Sequence, residues 1–209
     1  MINSNRFLKE FMRGIREFTG AEYCVLTNSC SNAIFLSLKY KQIIGEIEEG
    51  SEVIIPAHTY LSVPAQVKLS GLQPKLEHIK WIGNYELGDT RVFDSARQFH
   101  KDMYKKGTFT CCSFHSQKIL ATGGGCILLD DKEAFEYISR LAWDGRDVFT
   151  NLGIDHDNII GYHMNMIPEV AAQGIIQLGL LPHYHPDNNK GGHNEYYDMR
   201  EYKAFREFV

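Results

Sequence analysis

The 209-residue sequence lacks the features of several large protein classes. It has no run of about eighteen apolar residues, the length that a membrane-spanning helix needs. Its first stretch, MINSNRFLKEFMRGIREF, mixes charged residues into the apolar positions instead of offering the core of a signal peptide. These absences predict a cytoplasmic protein with no membrane partner. The formal net charge of −4 argues against nucleic acid as a partner, because such proteins usually present a net positive face.

The sequence has few cysteines, and their spacing does not indicate a disulfide framework. None of the five cysteines forms a CxxC pair, and an odd number in a chain of this size does not indicate a set of disulfides. We therefore expect the cysteines to be reduced and buried, as small apolar residues in a reducing compartment. The five are Cys24, Cys30, Cys111, Cys112 and Cys126.

Internal repeats and low-complexity tracts are also absent, and what remains is an alternation of strand and helix patterns. Residues 5–18 place apolar side chains at helical spacing, and YCVLTN then reads as a strand that leads into the helical pattern SCSNAIFLSLKYKQI. The same order recurs with a strand at 52–55 and a helix around 60–70. Further strands are predicted in TRVFD, TFTCCSF and GCILLDD, and a further helix in DKEAFEYISRLAWDG. Such alternation predicts an α/β domain with a largely parallel or mixed sheet.

We expect two regions in the chain. Residues 1–182 carry the α/β pattern, which is short between residues 75 and 92. Residues 183–209 are polar and rich in Asn, Gly, His and Tyr, and they predict a loop and a terminal helix instead of a second cored domain.

Functional groups collect where predicted strands end, which is where ligands bind in α/β sheets. In NSCSNA the free N–H groups of a helix start, with the hydroxyls of Ser29 and Ser31, favour an anion site, although simple N-capping explains the same residues. In PAHTY, Tyr60 and His58 follow a strand. Tyr60 either stacks on a planar ligand or packs on the surface.

Asp94 and Lys118 complete the set. Asp94 closes an apolar strand, where it either needs a cationic or hydrogen-bonding partner or caps the next helix. Lys118, between a Ser-Phe-His run and three glycines, would by itself be a solvated lysine on a turn. Together the four turns meet the needs of pyridoxal phosphate: an anion cradle, a flat aromatic ring, a carboxylate for the pyridine nitrogen and an amine for the aldehyde.

At these positions the sequence resembles the DegT/DnrJ/StrS family of pyridoxal-phosphate-dependent sugar aminotransferases. The matching stretches run in the family's order and cover most of residues 6–181: EFTGAEYCVLTNSCSNAIFLSL, SEVIIPAHTYLSVPAQV, VFDSARQ, CSFHSQKILATGGGCILLDD and GYHMNMIPEVAAQGIIQL. The resemblance implies the type I aminotransferase fold and a homodimer with active sites at the interface. It also implies transfer of an amino group, from glutamate, to a nucleotide-linked keto sugar, a reaction of polysaccharide biosynthesis.

The resemblance assigns roles residue by residue. Lys118 matches the lysine that bonds covalently to the cofactor and later shuttles a proton, and Asp94 matches the acid on the pyridine nitrogen. Tyr60 matches the aromatic that stacks on the ring. The phosphate contacts fall on Cys30, Ser31 and Ser113.

Three positions depart from the family pattern. Where an Asn reaches the phosphate of a neighbouring subunit and an Arg follows two residues later, this chain has His163 and Asn165. Three residues after the acid, the family has Gln or His near the phenolic oxygen of the cofactor. This chain has Arg97 there, with Gln98 displaced by one.

The lengths of two regions also differ from the family pattern. Only 34 residues separate Tyr60 from Asp94, an interval through which family members thread an extra strand and helix. We also expect the family's C-terminal domain to be missing after about residue 182. The alternative function is therefore a non-catalytic member of the fold that binds cofactor or a partner. Lys118 argues against the dehydratase branch of the family, which has histidine in its place.

A third hypothesis concerns the tail. His183, His185 and His193 with Asp187 have spacing that a metal site could use, and ordinary surface histidines are the simpler interpretation.

Overall fold

A computed structural model describes residues 5–150, 154–155 and 157–208 of the chain. It contains an α/β domain whose helices and strands follow the predicted alternation. The helices are α1 (Asn5–Thr19), α2 (Cys30–Ile43), α3 (Ser62–Leu69), α4 (Lys132–Ala142) and α5 (Pro168–Leu180). The strands are β1 (Tyr23–Thr27), β2 (Glu52–Pro56), β3 (Gln73–Glu77), β4 (Tyr85–Glu86), β5 (Val92–Asp94), β6 (Phe109–Ser113) and β7 (Gly125–Leu129).

The main sheet is mixed and has the strand order β1-β7-β6-β5-β4. Strand β7 is antiparallel to both β1 and β6, and β6 is parallel to β5. Strands β1, β5 and β6 therefore run in the same direction, so their carboxyl ends meet at one edge of the sheet. The predicted mixed α/β fold is confirmed, with β4 and β7 as the strands of opposite direction.

Both faces of the sheet are covered, because the side chains of its central strands alternate between two apolar clusters. In β7, Ile127 and Leu129 belong to the cluster under α2 and α4, whereas Cys126 and Leu128 belong to the cluster under α1 and α5. A strand that is buried on both faces is expected to be apolar throughout, as GCILL is. All five cysteines are buried and free, which confirms their prediction as small apolar residues.

The first helix illustrates how local sequence sets these elements. Leu8, Phe11 and Ile15 of α1 are buried at helical spacing. Gly20 follows the helix with a φ of +81°, the left-handed conformation that commonly ends a helix and that glycine adopts without strain.

The short interval between β3 and β5 has no helix. Strands β2 and β3 form a separate parallel pair, and the backbone N–H of Gly88 links that pair to the main sheet by donating to the carbonyl of Ile54 at 2.8 Å. The only strand assigned within residues 78–91 is the two-residue β4, which pairs with β5 in antiparallel register, Tyr85 opposite Asp94.

Residues 183–208 lie against the α/β domain. They form four short 3-10 helices, over Pro186–Asn189, His193–Glu195, Met199–Glu201 and Lys203–Phe208. The helix expected at the end of the tail is thus a 3-10 helix. Met199 and Phe208 are buried in the cluster under α2 and α4, which holds the tail in place. Division of the chain at residue 182 stays a prediction.

Two further expectations concern a membrane and a metal ion. None of the helices in the described part of the chain has the length and hydropathy of a membrane span. The metal hypothesis finds no support in the described ranges, where no group of three or more His, Cys, Asp or Glu side chains is arranged to hold a metal ion. His185 contacts Asp187, whereas His193 approaches the backbone carbonyl of Trp81.

Candidate functional site

A cavity of about 630 Å³ opens where the carboxyl ends of β1, β5 and β6 meet. The amino end of α2, the loop between β6 and β7, and residues after β2 complete its lining. Six of the sequence-predicted residues line it together: Cys30, Ser31, Tyr60, Asp94, Ser113 and Lys118. The order of strands in the sheet thus brings together groups that are up to 88 residues apart in the sequence.

Asp94 is a buried carboxylate, with only 6% of its surface exposed. Its Oδ2 accepts a hydrogen bond from the hydroxyl of Tyr85 at 2.8 Å, and its Oδ1 accepts from the backbone N–H of Ala96 at 2.9 Å. Burial raises the pKa of Asp94, while the bonds from Ala96 and Tyr85 and the charge of Lys118 act in the opposite direction. No helix follows Asp94 before α4, so the capping alternative is wrong, and the carboxylate has hydrogen-bonding partners at both oxygens.

Lys118 lies in the loop between β6 and β7 and is half-buried at the cavity wall. Its backbone N–H donates to the carbonyl of His115 at 2.8 Å, which fixes the turn that carries the side chain. Burial, followed by the charge of Arg97, lowers the pKa of Lys118, and the carboxylate of Asp94 partly offsets this. A lysine with a lowered pKa has more of its amine in the neutral, nucleophilic form.

Glycines after Lys118 shape the same wall. Gly123 and Gly124 have φ values of +93° and +81°, which side-chain-bearing residues rarely adopt. A Cβ at Gly125 would lie 2.6 Å from both the carbonyl oxygen of Cys112 and the backbone N of Cys30. Only glycine lets the start of β7 approach the first turn of α2 this closely.

The amino end of α2 supplies hydrogen-bond donors to the cavity. Ser29 acts as the N-cap, because its hydroxyl accepts from the backbone N–H of Asn32 at 3.1 Å. The capping interpretation is thus correct for Ser29. Ser31 pairs with the hydroxyl of Ser62 at 2.6 Å, and Ser113 lies opposite at the end of β6. A helix amino terminus flanked by three hydroxyls is suited to an anion.

Two tyrosines contribute aromatic surface. Tyr60, after β2, is 59% exposed and lines the cavity without a stacking partner in the described residues. Tyr196, from the tail, also lines the cavity. Its ring stacks on Trp81, with centroids 5.7 Å apart and planes at 27°.

Arg97 and Gln98 do not line this cavity. The guanidinium of Arg97 pairs with Glu195 at 2.6 Å and borders a smaller pocket that shares Lys118 and Gln117 with the main one. Gln98 turns away, since its Oε1 accepts from Asn84 at 2.6 Å.

His163 is exposed and contacts Asp144 at 3.1 Å, away from the cavity of its own chain. Such a position leaves the imidazole accessible, as a residue that reaches a neighbouring subunit has to be. The assignment of His163 to a neighbouring site stays a prediction.

Sequence patterns missed the groups behind and beside Asp94. Tyr85 and Thr59 form a buried hydroxyl pair next to the carboxylate. Tyr196 and Gln173 also line the cavity, and Glu195 holds Arg97. The cluster NEYYDM, with its acidic and aromatic residues in an otherwise polar tail, was the one available signal for Glu195 and Tyr196.

Comparison with known proteins defines the class to which this fold and site belong. The chain matches the model of the DegT/DnrJ/EryC1/StrS aminotransferase family over residues 1–80 and 95–199, and it belongs to that family. Residues 81–94, which include Tyr85 and Asp94, lie outside the matched ranges.

Individual relatives extend this result. The chain is 27% identical to the spore coat polysaccharide biosynthesis protein SpsC of Bacillus subtilis, in a match covering 83% of this chain and 57% of SpsC. Its structure resembles that of PseC of Helicobacter pylori, an aminotransferase of pseudoaminic acid biosynthesis. The TM-score is 0.68 at 18% identity, over 83% of this chain and 57% of PseC. NtdA from Bacillus subtilis, solved with bound cofactor PMP, gives 0.67 at 20% identity, over 84% of this chain and 48% of NtdA. The chain therefore spans about half the length of these relatives.

Proposed function

We propose that the chain binds pyridoxal phosphate in this cavity and transfers an amino group from an amino acid, glutamate, to a keto sugar carried on a nucleotide. The observation that carries the proposal is the placement of an amine with a lowered pKa, Lys118, and a buried carboxylate, Asp94, in one cavity with a helix amino terminus. Family membership and the relatives named above support the same chemistry.

The residues present fit this cofactor. The backbone N–H groups at Cys30 and Ser31 and the hydroxyl of Ser113 would hold the phosphate, because these donors converge where the α2 dipole favours negative charge. The ring of Tyr60 would cover the pyridine. Close packing at Gly125 brings β7 and the first turn of α2 together, so the cradle is built into the backbone.

Asp94 and Lys118 would divide the chemistry. A buried carboxylate with free capacity to accept a proton donor is suited to holding a protonated ring nitrogen, and bound pyridoxal phosphate supplies the electron sink for amino-group transfer. The amine of Lys118 would hold the cofactor covalently and, when released, move a proton at the reacting carbon.

Assembly belongs to the proposal as well. We propose a homodimer in which His163 of each chain donates a hydrogen bond to the phosphate site of its neighbour. The exposed imidazole supports this arrangement: Nδ1 donates to the carboxylate of Asp144, so the bond to the phosphate would come from the Nε2–H of the doubly protonated ring.

Covalent trapping tests the proposal. Purified protein is incubated with pyridoxal phosphate and reduced with borohydride, and the modified peptide is identified by mass spectrometry. We expect the label on Lys118, its loss in Lys118→Ala, and its retention in Lys132→Ala, which removes an exposed lysine of α4. Absence of label on Lys118 in the wild-type chain would contradict the proposal.

The second candidate function is cofactor binding without transamination. It is favoured by the short segment 81–94 outside the family match and by the pairing of Arg97 with Glu195 beside Lys118. Glutamate added to the cofactor-loaded protein separates the two functions. An active transaminase changes the visible absorbance of the cofactor and releases 2-oxoglutarate, whereas a binding protein does neither.

A further inference from the structure

The tail contributes Tyr196 to the wall of the cavity, and its segment 191–199 runs beside residues 81–85. The backbone N–H of Gly83 donates to the carbonyl of Gly191 at 2.8 Å, and that of His193 donates to the carbonyl of Trp81 at 3.1 Å. Further along, the N–H of Met199 donates to the carbonyl of Ala57 at 2.8 Å. The tail segment is therefore fixed to the domain on both sides of Tyr196.

Side-chain contacts then fix Tyr196 itself. Its ring stacks on Trp81, whose indole N–H donates to the carbonyl of His58 at 2.9 Å, so the platform under the ring is itself anchored. The preceding residue, Glu195, pairs with Arg97 at 2.6 Å. Tyr196 is thus held at the cavity wall by the stack on Trp81 and by the ion pair of Glu195.

The hydroxyl of Tyr196 makes no hydrogen bond to the described residues of the protein. The side chain is half-buried and lines the cavity with Asp94 and Lys118, yet its O–H has no hydrogen-bond partner within the described residues. Burial, followed by the charge of Asp94, raises the pKa of Tyr196 to about 12. The phenol therefore keeps its proton at neutral pH and is available as a donor.

We infer that Tyr196 is a ligand-binding residue of the cavity: its ring forms a wall beside the bound cofactor, and its hydroxyl donates a hydrogen bond to a cofactor oxygen. The assignment rests on the proposed function. Tyr196 would thus be a second aromatic residue in contact with the cofactor, in addition to Tyr60. It comes from the tail, which lies outside the strand pattern of the sequence. Glu195 and Arg97 act as positioning residues, because they touch the tail and not the cavity occupant.

Binding of pyridoxamine phosphate to the cofactor-free protein tests this inference. The amine form lacks an aldehyde and cannot bond to Lys118, so its dissociation constant reports the noncovalent contacts alone. Loss of the hydroxyl in Tyr196→Phe should weaken binding by about 3- to 10-fold, the equivalent of one hydrogen bond. Loss of the ring in Tyr196→Ala should weaken it further.

The neighbouring residue gives a matched control. Tyr197 is 77% exposed and does not line the cavity, so Tyr197→Ala should bind within about twofold of wild type. The dissociation constant of Glu195→Gln for pyridoxamine phosphate should lie between those of Tyr197→Ala and Tyr196→Ala. If Tyr196→Ala does not fold, judged by circular dichroism, the conservative Tyr196→Phe decides.

Two outcomes overturn the inference and are distinguishable. If wild type binds pyridoxamine phosphate and both Tyr196 variants bind equally well, Tyr196 is a structural residue and the proposed function stands. If wild type binds neither pyridoxamine phosphate nor pyridoxal phosphate, the proposed function fails and the inference fails with it.

Discussion

The two sides of the cavity are built in different ways. On one side, the carboxyl ends of β1, β5 and β6 place their residues through continuous ladders of backbone hydrogen bonds. On the other side, the tail segment 191–199 meets residues 81–85 through an isolated bridge at Ile82 and Gly192 and through the stack of Tyr196 on Trp81, and it meets Arg97 through the ion pair of Glu195. Side-chain contacts of this kind break individually, whereas a sheet opens cooperatively.

This difference assigns different work to the two sides. The strand side can hold charged groups in a fixed geometry, which an amine and a carboxylate need if they are to act on one ligand. The tail side is held by fewer such contacts, so we expect it to open at a lower free energy than the sheet. Variants that affect one side and spare the other test this comparison.

The largest effect is expected from core truncations on each side. Met199 in the tail and Leu128 in β7 are both buried, at 2% and 0% exposure. Met199→Ala and Leu128→Ala should each lower the free energy of unfolding by about 2–5 kcal/mol, measured by urea denaturation.

Limited proteolysis of the native proteins should then separate these two variants. Met199→Ala should accelerate cleavage within residues 183–208 under conditions where the sheet stays intact, because its lost contacts hold the tail. Leu128→Ala should show no such selective cleavage. Equal cleavage of the tail in both variants would mean that the two sides unfold as one unit.

A second prediction concerns Tyr85, through which residues 81–85 act on the strand side. Tyr85→Phe removes the hydroxyl that donates to Asp94, so the pKa of Asp94 should rise further. The lost bond to a buried carboxylate should cost about 1.5–3 kcal/mol of stability. Binding of pyridoxamine phosphate should weaken, because the ionised carboxylate that would pair with a protonated ring nitrogen is less favoured without the bond from Tyr85.

Tyr104 provides the control for Tyr85. Its hydroxyl donates to Asp130 at 2.9 Å, and neither residue lines the cavity. Tyr104→Phe should lower stability by a smaller amount, since Asp130 is more exposed than Asp94, and leave cofactor binding unchanged. If both variants weaken binding equally, the effect arises from general destabilisation and not from Asp94.

The same two sides differ in how far the sequence predicted them. Asp94, Ser113 and the start of α2 stand at the ends of apolar runs, and the strand-then-helix pattern is enough to expect them at one edge. The order of β1, β5 and β6 could not be read from periodicity, because a pattern of two or 3.6 residues says nothing about which strands are neighbours.

The tail side could not be predicted at all from local patterns. Tyr196 reaches the cavity only because Gly191 and Met199 bond to residues more than 100 positions earlier in the chain. The contact of Arg97 with Glu195, 98 residues away, is equally invisible to local patterns; it places the guanidinium at the smaller pocket beside Lys118, and the assignment of Arg97 to the cofactor stays a prediction. Propensity and spacing contain no information on such long-range pairs.

The smallest expected effect is the pH dependence of the stability of the tail. Asp198, two residues after Tyr196, pairs with Arg200, whose Nε lies 2.9 Å from its Oδ1, and this contact lowers the pKa of Asp198 to about 2 from an ordinary 3.8. A carboxyl with a lowered pKa in the folded state stabilises that state above its unfolded pKa. Its contribution is lost as the pH falls from about 4 toward 2, because the carboxyl is protonated first in the unfolded chain.

Trp81 fluorescence, in a Trp143→Phe background that leaves one of the two tryptophans, follows this step. We expect the environment of Trp81 to change between pH 4 and 2 as the folded tail loses the contribution of the pair of Asp198 with Arg200, and Asp198→Asn should remove that pH dependence because it lacks the carboxyl. Asp187→Asn is the control, since the pair of Asp187 with Lys190 is largely exposed and such pairs contribute little. A single acid transition shared by Trp81 fluorescence and far-ultraviolet circular dichroism, identical in Asp198→Asn, would show that the tail does not open independently of the sheet.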